Sequence, residues 1–336
     1  MLQTLPVAVI GTGHMGRHHV RIYHELAEAE LVGIVDLDEA RGVELAAKFK
    51  TKAYTSITPL LGKVKAVSVA VPTVAHLAVA RPFLEAGVAV LIEKPLAPDT
   101  ATAGELLEIG RRHGALLQVG HTERFNPVVR AMRSMQVSPQ FIETHRISPF
   151  TFRSADIGVV MDMMIHDIDI VLSLVKAKPA RVEAVGVSVL GRHEDIANAR
   201  VIFEGGCVAN LTASRLALKT ERKIRVFSQE AYLSLDYQKK SGIAIKKDAN
   251  LDLLKFAREH KAEDLSQLAG TDFGSMVKVE PLVVDDVEPL RAELQSFLHS
   301  VRTGERPAVT AEEGAAAVDL AERITMAVKE HNWQIK

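Results

Sequence analysis

The chain has 336 residues, 47% of them hydrophobic, which is typical of a globular protein with up to two domains and excludes a disordered or collagen-like chain. Its 41 basic and 42 acidic residues give a formal net charge of -1, which argues against nucleic acid or an anionic membrane as the partner. Cys207 is the single cysteine and no basic segment precedes the first apolar run, so we expect a cytoplasmic protein with a small-molecule partner.

The first motif is a glycine-rich turn between a strand and a helix. The apolar, β-branched run from Val7 to Ile10 predicts a strand buried on both faces of a parallel sheet. The sequence GTGHMG follows it directly. In this setting the glycines allow a tight turn, close approach of a pyrophosphate and close helix packing. We therefore predict that a dinucleotide diphosphate lies at the start of the helix. The predicted contacts are Gly11, Thr12, Gly13, His14, Met15 and Gly16.

The next predicted strand ends in an acidic residue that indicates which dinucleotide binds. Asp36 follows the run from Leu31 to Val35 and lies twenty residues after Gly16. A carboxylate at this position accepts hydrogen bonds from the adenosine ribose and repels a 2′-phosphate. The nearest arginine in the sequence is Arg41, to which this argument gives no role. We therefore predict NAD as the cofactor, with a purely structural glycine turn as the alternative.

Apolar runs alternate with helical patterns up to about Gly120, which predicts a doubly wound parallel sheet. Asp38 and Thr73 are placed as N-caps of two helices, and Gly114 as the stop of a third that begins near Asp99. Ligands of such sheets bind at the carboxyl ends of the strands. The residues at these ends that we expect to contact the cofactor are Val71, Pro72, Thr73, His76, Glu93 and Lys94.

Beyond Gly120 the pattern changes to short strands with few helices between them, which predicts an α+β domain with a mainly antiparallel open sheet. One helix is predicted to begin near Asn126 and another to cover residues 159–176. A last helix is predicted to open with a capping box formed by Thr310 and Glu313.

The predicted domains are 1–120, which binds NAD, and 121–336, which binds substrate and forms the oligomer. The closing helices of the second domain could pack back on the first. Residues 247–271 are polar and partly helical in pattern, and the sequence assigns them no role.

Two stretches carry side chains suited to oxidising an alcohol. On a helix, Asp162, His166 and Asp169 share one face, where a carboxylate can fix the tautomer of the imidazole and raise its basicity. Lys94 follows a buried strand beside the cofactor, where desolvation would lower the pKa of its ammonium. We predict Lys94, His166 and Asp162 as catalytic residues. Which of Lys94 and His166 takes the proton first stays open.

Each of these residues also has an ordinary structural interpretation. Lys94 could be a surface lysine before a proline turn, and His166 a satisfied histidine in an interface helix. Asp and His at this spacing could also ligate a metal, but no second cluster completes a coordination shell, so no metal is predicted.

The motifs together resemble a known family. GTGHMG at 11–16, EKP at 93–95 and D-x-x-x-H-x-x-D at 162–169 resemble the Gfo/Idh/MocA family of NAD(P)-dependent sugar and cyclitol oxidoreductases. The resemblance covers nearly the whole chain and implies that Lys94 and His166 are catalytic with help from Asp162. It also implies a cis peptide before Pro95 and a homodimer or homotetramer formed through the exposed face of the second sheet. Met164 stands where many members have glycine, which implies a tighter or shifted pocket.

A narrower resemblance concerns the substrate. GHTERFNP at 120–127 and MMIHDIDI at 163–170 are similar to the branch of this family that acts on UDP-N-acetylglucosamine in lipopolysaccharide synthesis. This implies oxidation of the C3 hydroxyl to a 3-keto nucleotide sugar, which an aminotransferase then consumes on the way to lipid A precursors.

A nucleotide sugar also requires cations for its diphosphate. Arg124 and Arg153 are the candidates, although each could instead form a surface ion pair. His121, Glu123 and Asn126 could contact the substrate or cap the following helix, and capping is the expectation for Asn126. The predicted substrate-binding residues are Lys94, Arg124, Asn126, Arg153, Asp162 and His166.

Two other functions remain compatible with the sequence. One is an NAD-dependent dehydrogenase of a free sugar or inositol. The other is a non-catalytic NAD-binding regulator, which would have no need for Lys94, Asp162 and His166 together.

Overall fold

The structure is a computed structural model that describes residues 4–151, 157–190, 192–247 and 277–331. Its first sheet has six parallel strands: β1 (Leu5–Ile10), β2 (Ala29–Val35), β3 (Ala53–Tyr54), β4 (Ala66–Val69), β5 (Ala89–Glu93) and β6 (Leu117–Gly120). Their order in the sheet is β3-β2-β1-β4-β5-β6. This order confirms the predicted doubly wound fold and places the ends of β1, β4 and β5 side by side.

Four helices connect these strands: α1 (Gly16–Glu25), α2 (Glu39–Phe49), α3 (His76–Glu85) and α4 (Thr100–His113). The cap predicted at Asp38 is confirmed, because its side chain accepts a hydrogen bond from the Arg41 N–H. The helix predicted to begin near Asp99 is also present, and the structure shows that Asp99 is its N-cap, accepting from the Thr102 N–H. Gly114 ends α4 in the left-handed conformation, as predicted. Thr73 was wrongly predicted as a cap, because a 3₁₀ turn over Thr73–Ala75 precedes α3 and no side-chain cap is made.

The second sheet has eight strands: β7 (Phe141–Ile147), β8 (Pro179–Val187), β9 (Ile196–Phe203), β10 (Val208–Ser214), β11 (Glu221–Phe227), β12 (Ala231–Asp236), β13 (Ser241–Lys247) and β14 (Val277–Pro281). Their order is β14-β13-β12-β11-β7-β10-β9-β8. Neighbours are antiparallel except for the parallel pair of β7 with β10, which confirms a mainly antiparallel sheet. From residue 248 onward, the polar region predicted over 247–271 lies outside the described residues.

Two helices of the second half lie near the first sheet, α5 (Pro127–Ser134) and α6 (Ile165–Val175). A π-helical turn over Val160–Met164 precedes α6, where the sequence predicts one continuous α-helix. Such turns widen the helix by one residue and are frequent at functional sites. The turn therefore changes the direction in which the side chains just before α6 point.

The chain closes with α7 (Pro289–Thr303) and α8 (Ala311–Glu330). Both hydrogen bonds of the predicted Thr310–Glu313 capping box are present. The apolar face of α7, with Leu294 and Phe297, belongs to the same buried cluster as Val7 and Leu91 of the first sheet. α8 packs against α4, α6 and β8. Among the described residues, no helix combines the length and apolar character needed to cross a bilayer.

The turn after β1 requires glycine at two positions because the backbone approaches itself closely there. Gly11 has a φ of +86°, which favours glycine, and a Cβ at Gly16 would lie 1.8 Å from the main-chain oxygen of Gly11. A Cβ at Gly13 would meet no heavy atom within 4 Å. Gly16 is thus required for packing, whereas the space beside Gly13 is open.

We expect Gly16→Ala to lower the free energy of unfolding by about 1–3 kcal/mol, because its methyl group would overlap the Gly11 carbonyl and force the turn to shift. Gly13→Ala is the matched control and should keep the parental melting temperature. It should nevertheless bind NAD more weakly, because its methyl group enters the space where a diphosphate approaches the backbone. Thermal melts with and without NAD measure both effects, and equal melting temperatures for the two variants would contradict the assignment.

Candidate active site

A cleft of about 610 Å³ lies at the carboxyl ends of the first sheet's strands and extends to the π-helical turn before α6. Its walls come from the glycine turn, from the ends of β4 and β5, and from Met161 and Asp162. This is the edge at which open α/β sheets bind ligands. The predicted cofactor residues that line the cleft are Gly13, His14, Met15, Val71, Pro72, Thr73, Glu93 and Lys94.

The glycine turn fits the diphosphate of a dinucleotide. No side chain caps the start of α1, and its first turn contains no acidic residue. The N–H groups of an uncapped helix start, together with the helix dipole, favour a bound anion. The open space beside Gly13 lets such an anion reach the backbone. Gly11 and Gly16 shape the turn and do not line the cleft.

Asp36 is buried at the end of β2 and already has several hydrogen-bond donors. The main-chain N–H of Thr12 donates to its carboxylate at 2.8 Å, and Arg41 donates from Nη2 at 2.6 Å and from Nε at 3.1 Å. Burial alone would raise the pKa of Asp36, but the hydrogen bonds from Arg41 and Thr12 outweigh it and hold the pKa well below its usual value. The sequence argument gave Arg41 no role, and the structure places its guanidinium directly on Asp36.

His76 was predicted to contact the cofactor, but its side chain does not line the cleft. Its ring is buried, with Nε2 3.1 Å from the Val71 carbonyl and Nδ1 3.2 Å from the Leu96 carbonyl. Burial lowers the pKa of this imidazole. The ring therefore supports the two backbone segments that follow β4 and β5 by contacting a carbonyl of each. Its predicted contact with the cofactor is corrected to this supporting position.

Lys94 and Asp162 meet at the edge of the cleft. The Lys94 Nζ donates to the main-chain carbonyl of Asp162 at 2.7 Å and lies 3.3 Å from its carboxylate Oδ1. Their side chains are 20% and 28% exposed, respectively. Burial lowers the pKa of Lys94, although Asp162 and Glu93 act in the opposite direction. The Lys94–Pro95 peptide is cis, as the resemblance implied.

His166 lies in the first turn of α6 and is partly buried. Burial lowers its pKa well below 6.5, and the positive charges of Lys94 and Arg146 lower it further. The imidazole is therefore neutral near pH 7 and can accept a proton. Its Nδ1 has no hydrogen-bond partner in the described part of the chain. The side chain of Asp162 pairs with Lys94, so the predicted bond from Asp162 to the imidazole is not seen.

Arg124 does not reach the cleft, contrary to its predicted contact with a substrate diphosphate. Its side chain is 2% exposed and donates to the Asp169 carboxylate from Nε at 2.6 Å and from Nη2 at 2.7 Å. This pairing compensates the buried carboxylate of Asp169 and leaves the Arg124 guanidinium committed inside the protein. The predicted substrate residue Arg153 lies outside the described residues.

Asn126 is the N-cap of α5, as expected. Its Oδ1 accepts from the Val128 N–H at 3.2 Å, and its Nδ2 donates to Glu123 and to the Tyr237 carbonyl. Both ends of the buried amide are thus used inside the protein. This disagrees with the predicted substrate contact of Asn126.

Sequence reasoning missed several buried polar pairs around the site. His19 of α1 contacts the Glu93 carboxylate at 2.8 Å. The Thr122 hydroxyl donates to Glu293 of α7 at 2.7 Å, and burial with the nearby charge of Glu93 raises the pKa of Glu293 well above its usual value. Partners so far apart in the sequence leave no local signal.

Similarity to known proteins agrees with this geometry. Residues 5–121 match a family model described as an oxidoreductase family with an NAD-binding Rossmann fold, and residues 130–234 match the GFO/IDH/MocA C-terminal domain. UDP-N-acetylglucosamine 3-dehydrogenase of Acidithiobacillus ferrooxidans is 40% identical over 230 residues, which cover 68% of this chain and 73% of that protein.

Two further comparisons are with a solved structure of that enzyme and with a second relative. A solved structure of the same enzyme, GnnA from Acidithiobacillus ferrooxidans, superimposes with a TM-score of 0.85 at 31% identity and covers 97% of this chain and 98% of its own. Inositol 2-dehydrogenase of Leifsonia xyli subsp. xyli is 33% identical over 192 residues, which cover 53% of this chain and 56% of that protein.

The Asp36–Arg41 pair predicts how the cofactor preference responds to mutation. We expect Asp36→Ala to weaken NAD binding about 10- to 100-fold, because the ribose loses a charged acceptor. Binding of NADP should strengthen relative to NAD, because the freed Arg41 can pair with the 2′-phosphate. Calorimetric titration with both dinucleotides measures the ratio, with the exposed neighbour Glu39→Gln as control. An unchanged ratio in Asp36→Ala would show that Asp36 does not contact the ribose.

Proposed function

This chain belongs to the Gfo/Idh/MocA family of NAD-dependent oxidoreductases, and we propose that it oxidises the C3 hydroxyl of UDP-N-acetylglucosamine to the 3-keto nucleotide sugar. Membership makes the chain an NAD-dependent dehydrogenase that acts on CH–OH groups. The finer assignment is supported by its 40% identity to a UDP-N-acetylglucosamine 3-dehydrogenase. The observation that carries the proposed oxidation chemistry is the meeting of the Lys94 amine with Asp162 at the cleft, four residues before His166.

His166, Lys94 and Asp162 have separate roles in the proposed alcohol oxidation. Bound NAD supplies the hydride acceptor. His166 removes the proton of the C3 hydroxyl, because its lowered pKa keeps the imidazole neutral near pH 7. Lys94 remains charged beside the Asp162 carboxylate and donates a hydrogen bond to the oxygen that loses the proton. Asp162 thus acts by holding the amine, whereas the sequence had assigned it to the imidazole.

A dehydrogenase of a free cyclitol is the second candidate. It is favoured by the 33% identity to an inositol 2-dehydrogenase, although that similarity covers a smaller part of the chain. A catalytically silent regulator is not supported, because the chain matches an oxidoreductase family and retains Lys94, Asp162 and His166 together.

The proposal also places the enzyme in a reaction sequence. A 3-keto sugar presents the carbonyl that an aminotransferase requires, so we propose that such an enzyme consumes the product toward 3-amino sugars for lipid A. We further propose a cytoplasmic homodimer or homotetramer that associates through the open face of the second sheet. Val187, Ile196 and Ile243 are partly exposed apolar residues on strands of that sheet.

We expect the purified protein to reduce NAD with UDP-N-acetylglucosamine and to be at least tenfold less efficient with free N-acetylglucosamine, hexoses and myo-inositol. A carbonyl trap such as hydrazine, or the aminotransferase with its amino donor, is included because the keto product is otherwise expected to limit turnover. Absorbance at about 340 nm follows the reaction. Faster turnover of myo-inositol than of the nucleotide sugar would support the second candidate.

Lys94→Ala and His166→Ala should each reduce kcat about 10²- to 10⁴-fold, as expected when a proton-transfer group is removed. Lys63→Ala and His299→Ala remove exposed residues of the same types and serve as matched controls. Thermal melts and NAD titrations establish that all four variants are folded and bind the cofactor. Full turnover by both Lys94→Ala and His166→Ala would remove the chemical basis of the proposal.

The pH dependence of kcat/KM distinguishes the two candidate bases. If neutral His166 takes the proton, the rate falls only where the imidazole becomes protonated, and its lowered pKa places that limb well below pH 6.5. If neutral Lys94 is the base, the limb lies below the usual lysine pKa of 10.5, because burial lowers the pKa of the ammonium. We expect the first profile from initial rates. A limb above pH 7 that persists in His166→Gln would assign the base to Lys94.

A further inference from the structure

A nucleotide-sugar substrate requires a cation that the predicted arginines do not supply. Arg124 is buried in its pair with Asp169, and Arg153 lies outside the described residues. Arg146 is also buried and donates hydrogen bonds to the carboxylates of Asp167 and Glu123. The remaining arginine whose charge acts on His166 is Arg222, which the sequence analysis did not single out.

Arg222 lies at the start of β11, on the face of the second sheet that carries the catalytic helix. Its cross-strand partner is Arg146 of β7, so both side chains project from the same face of the sheet. Arg146 reaches Asp167, the residue next to His166. The Arg222 carbonyl accepts a hydrogen bond from the Tyr237 N–H at 2.9 Å, which fixes this end of the strand. Arg222 therefore shares a sheet face with Arg146, whose guanidinium contacts the residue next to His166.

The guanidinium of Arg222 is available to a ligand. Its side chain is 47% exposed, and its Nη1 lies 3.5 Å from the Glu123 carboxylate. Glu123 already accepts from Arg146 at 3.1 Å and from Asn126 at 3.2 Å. In the described ranges, Arg222 donates no side-chain hydrogen bond. A planar guanidinium in this state can offer two parallel N–H groups to a phosphate.

The surroundings of His166 are positively charged. Burial is the largest cause of its lowered pKa, and Lys94, Arg146, His121 and Arg222 follow as causes in the same direction. Of the arginines in this group, Arg146 is committed to buried carboxylates and Arg222 is half-exposed. Arg222 is thus the arginine of this group that an anionic ligand can reach from solvent.

We propose that Arg222 binds the diphosphate of the nucleotide-sugar substrate and thereby sets the preference for a nucleotide sugar over a free sugar. This inference rests on the proposed function. A diphosphate held at Arg222 keeps the sugar ring on the side of His166 and Lys94. A free sugar or cyclitol lacks the phosphates and gains nothing from this arginine.

The test compares Arg222→Gln with Arg225→Gln, which removes the same charge from the same strand on the opposite face. UDP is titrated calorimetrically into the NAD-saturated enzyme, and KM and kcat are measured with UDP-N-acetylglucosamine. We expect Arg222→Gln to weaken UDP binding about 10- to 100-fold and to raise KM similarly, with kcat within about twofold. Arg222→Lys should recover part of the affinity, because it restores the charge without the paired donors. NAD affinity and melting temperature should be unchanged in all three.

The outcomes separate this inference from the proposed function. If the parental enzyme neither binds UDP nor oxidises UDP-N-acetylglucosamine, the proposed function is wrong and the inference falls with it. If the parental enzyme does both, and Arg222→Gln loses no more UDP affinity than Arg225→Gln, the function stands and Arg222 is not the diphosphate ligand. A fall in kcat with unchanged KM would also overturn the inference, because it would place Arg222 in the chemistry and not in binding.

Discussion

The Lys94 amine donates a hydrogen bond across the cleft to the main-chain carbonyl of Asp162, and the geometry of the site depends on this contact. Lys94 comes from the end of β5, whereas Asp162 belongs to the π-helical turn that precedes α6. An ammonium removed from water is stable only where acceptors replace its hydration, and the carbonyl and carboxylate of Asp162 provide them. The same contact therefore orients the amine and fixes the turn before α6 against the carboxyl-terminal edge of the first sheet.

The acidic residues of the segment 162–169 have separate partners. Asp162 pairs with Lys94, Asp167 with Arg146, and Asp169 with Arg124. Loss of one partner from a buried pair of this kind is strongly destabilising, because it leaves an uncompensated charge. His166 lies between these pairs without a carboxylate of its own on Nδ1. The imidazole therefore has no carboxylate to stabilise its charged form. Burial and the nearby positive charges lower its pKa and keep it neutral.

Local sequence patterns predicted the features that local interactions determine. The glycine turn, the cap at Asp38, the helix stop at Gly114 and the Thr310–Glu313 capping box each depend on residues a few positions apart. The alternation of strands and helices likewise predicted a doubly wound parallel sheet, because parallel strands need crossover helices.

The remaining features of the site depend on contacts between distant residues. Arg124 and Asp169 are 45 positions apart, and an arginine pairing with a buried acid looks the same in a sequence as one that awaits a phosphate. The π-helical turn was missed for a related reason. Its residues have an ordinary helical pattern, and the partners that the turn contacts, Lys94 and α8, are distant in the sequence. Arg222 was overlooked because strand pairing, and not spacing along the chain, brings it beside Arg146.

The packing of α7 has a consequence for the autonomy of the nucleotide-binding half. Leu294 and Phe297 cover the face of the first sheet formed by residues such as Val9 and Leu91, and Arg302 donates to the Glu28 carbonyl at 2.6 Å. A polypeptide that ended after β6 would retain the residues of that sheet predicted to bind the cofactor, yet it would expose this apolar face to water. The two ends of the chain thus complete one core between them, so the dinucleotide-binding half is not an independent module that could be excised or transplanted intact.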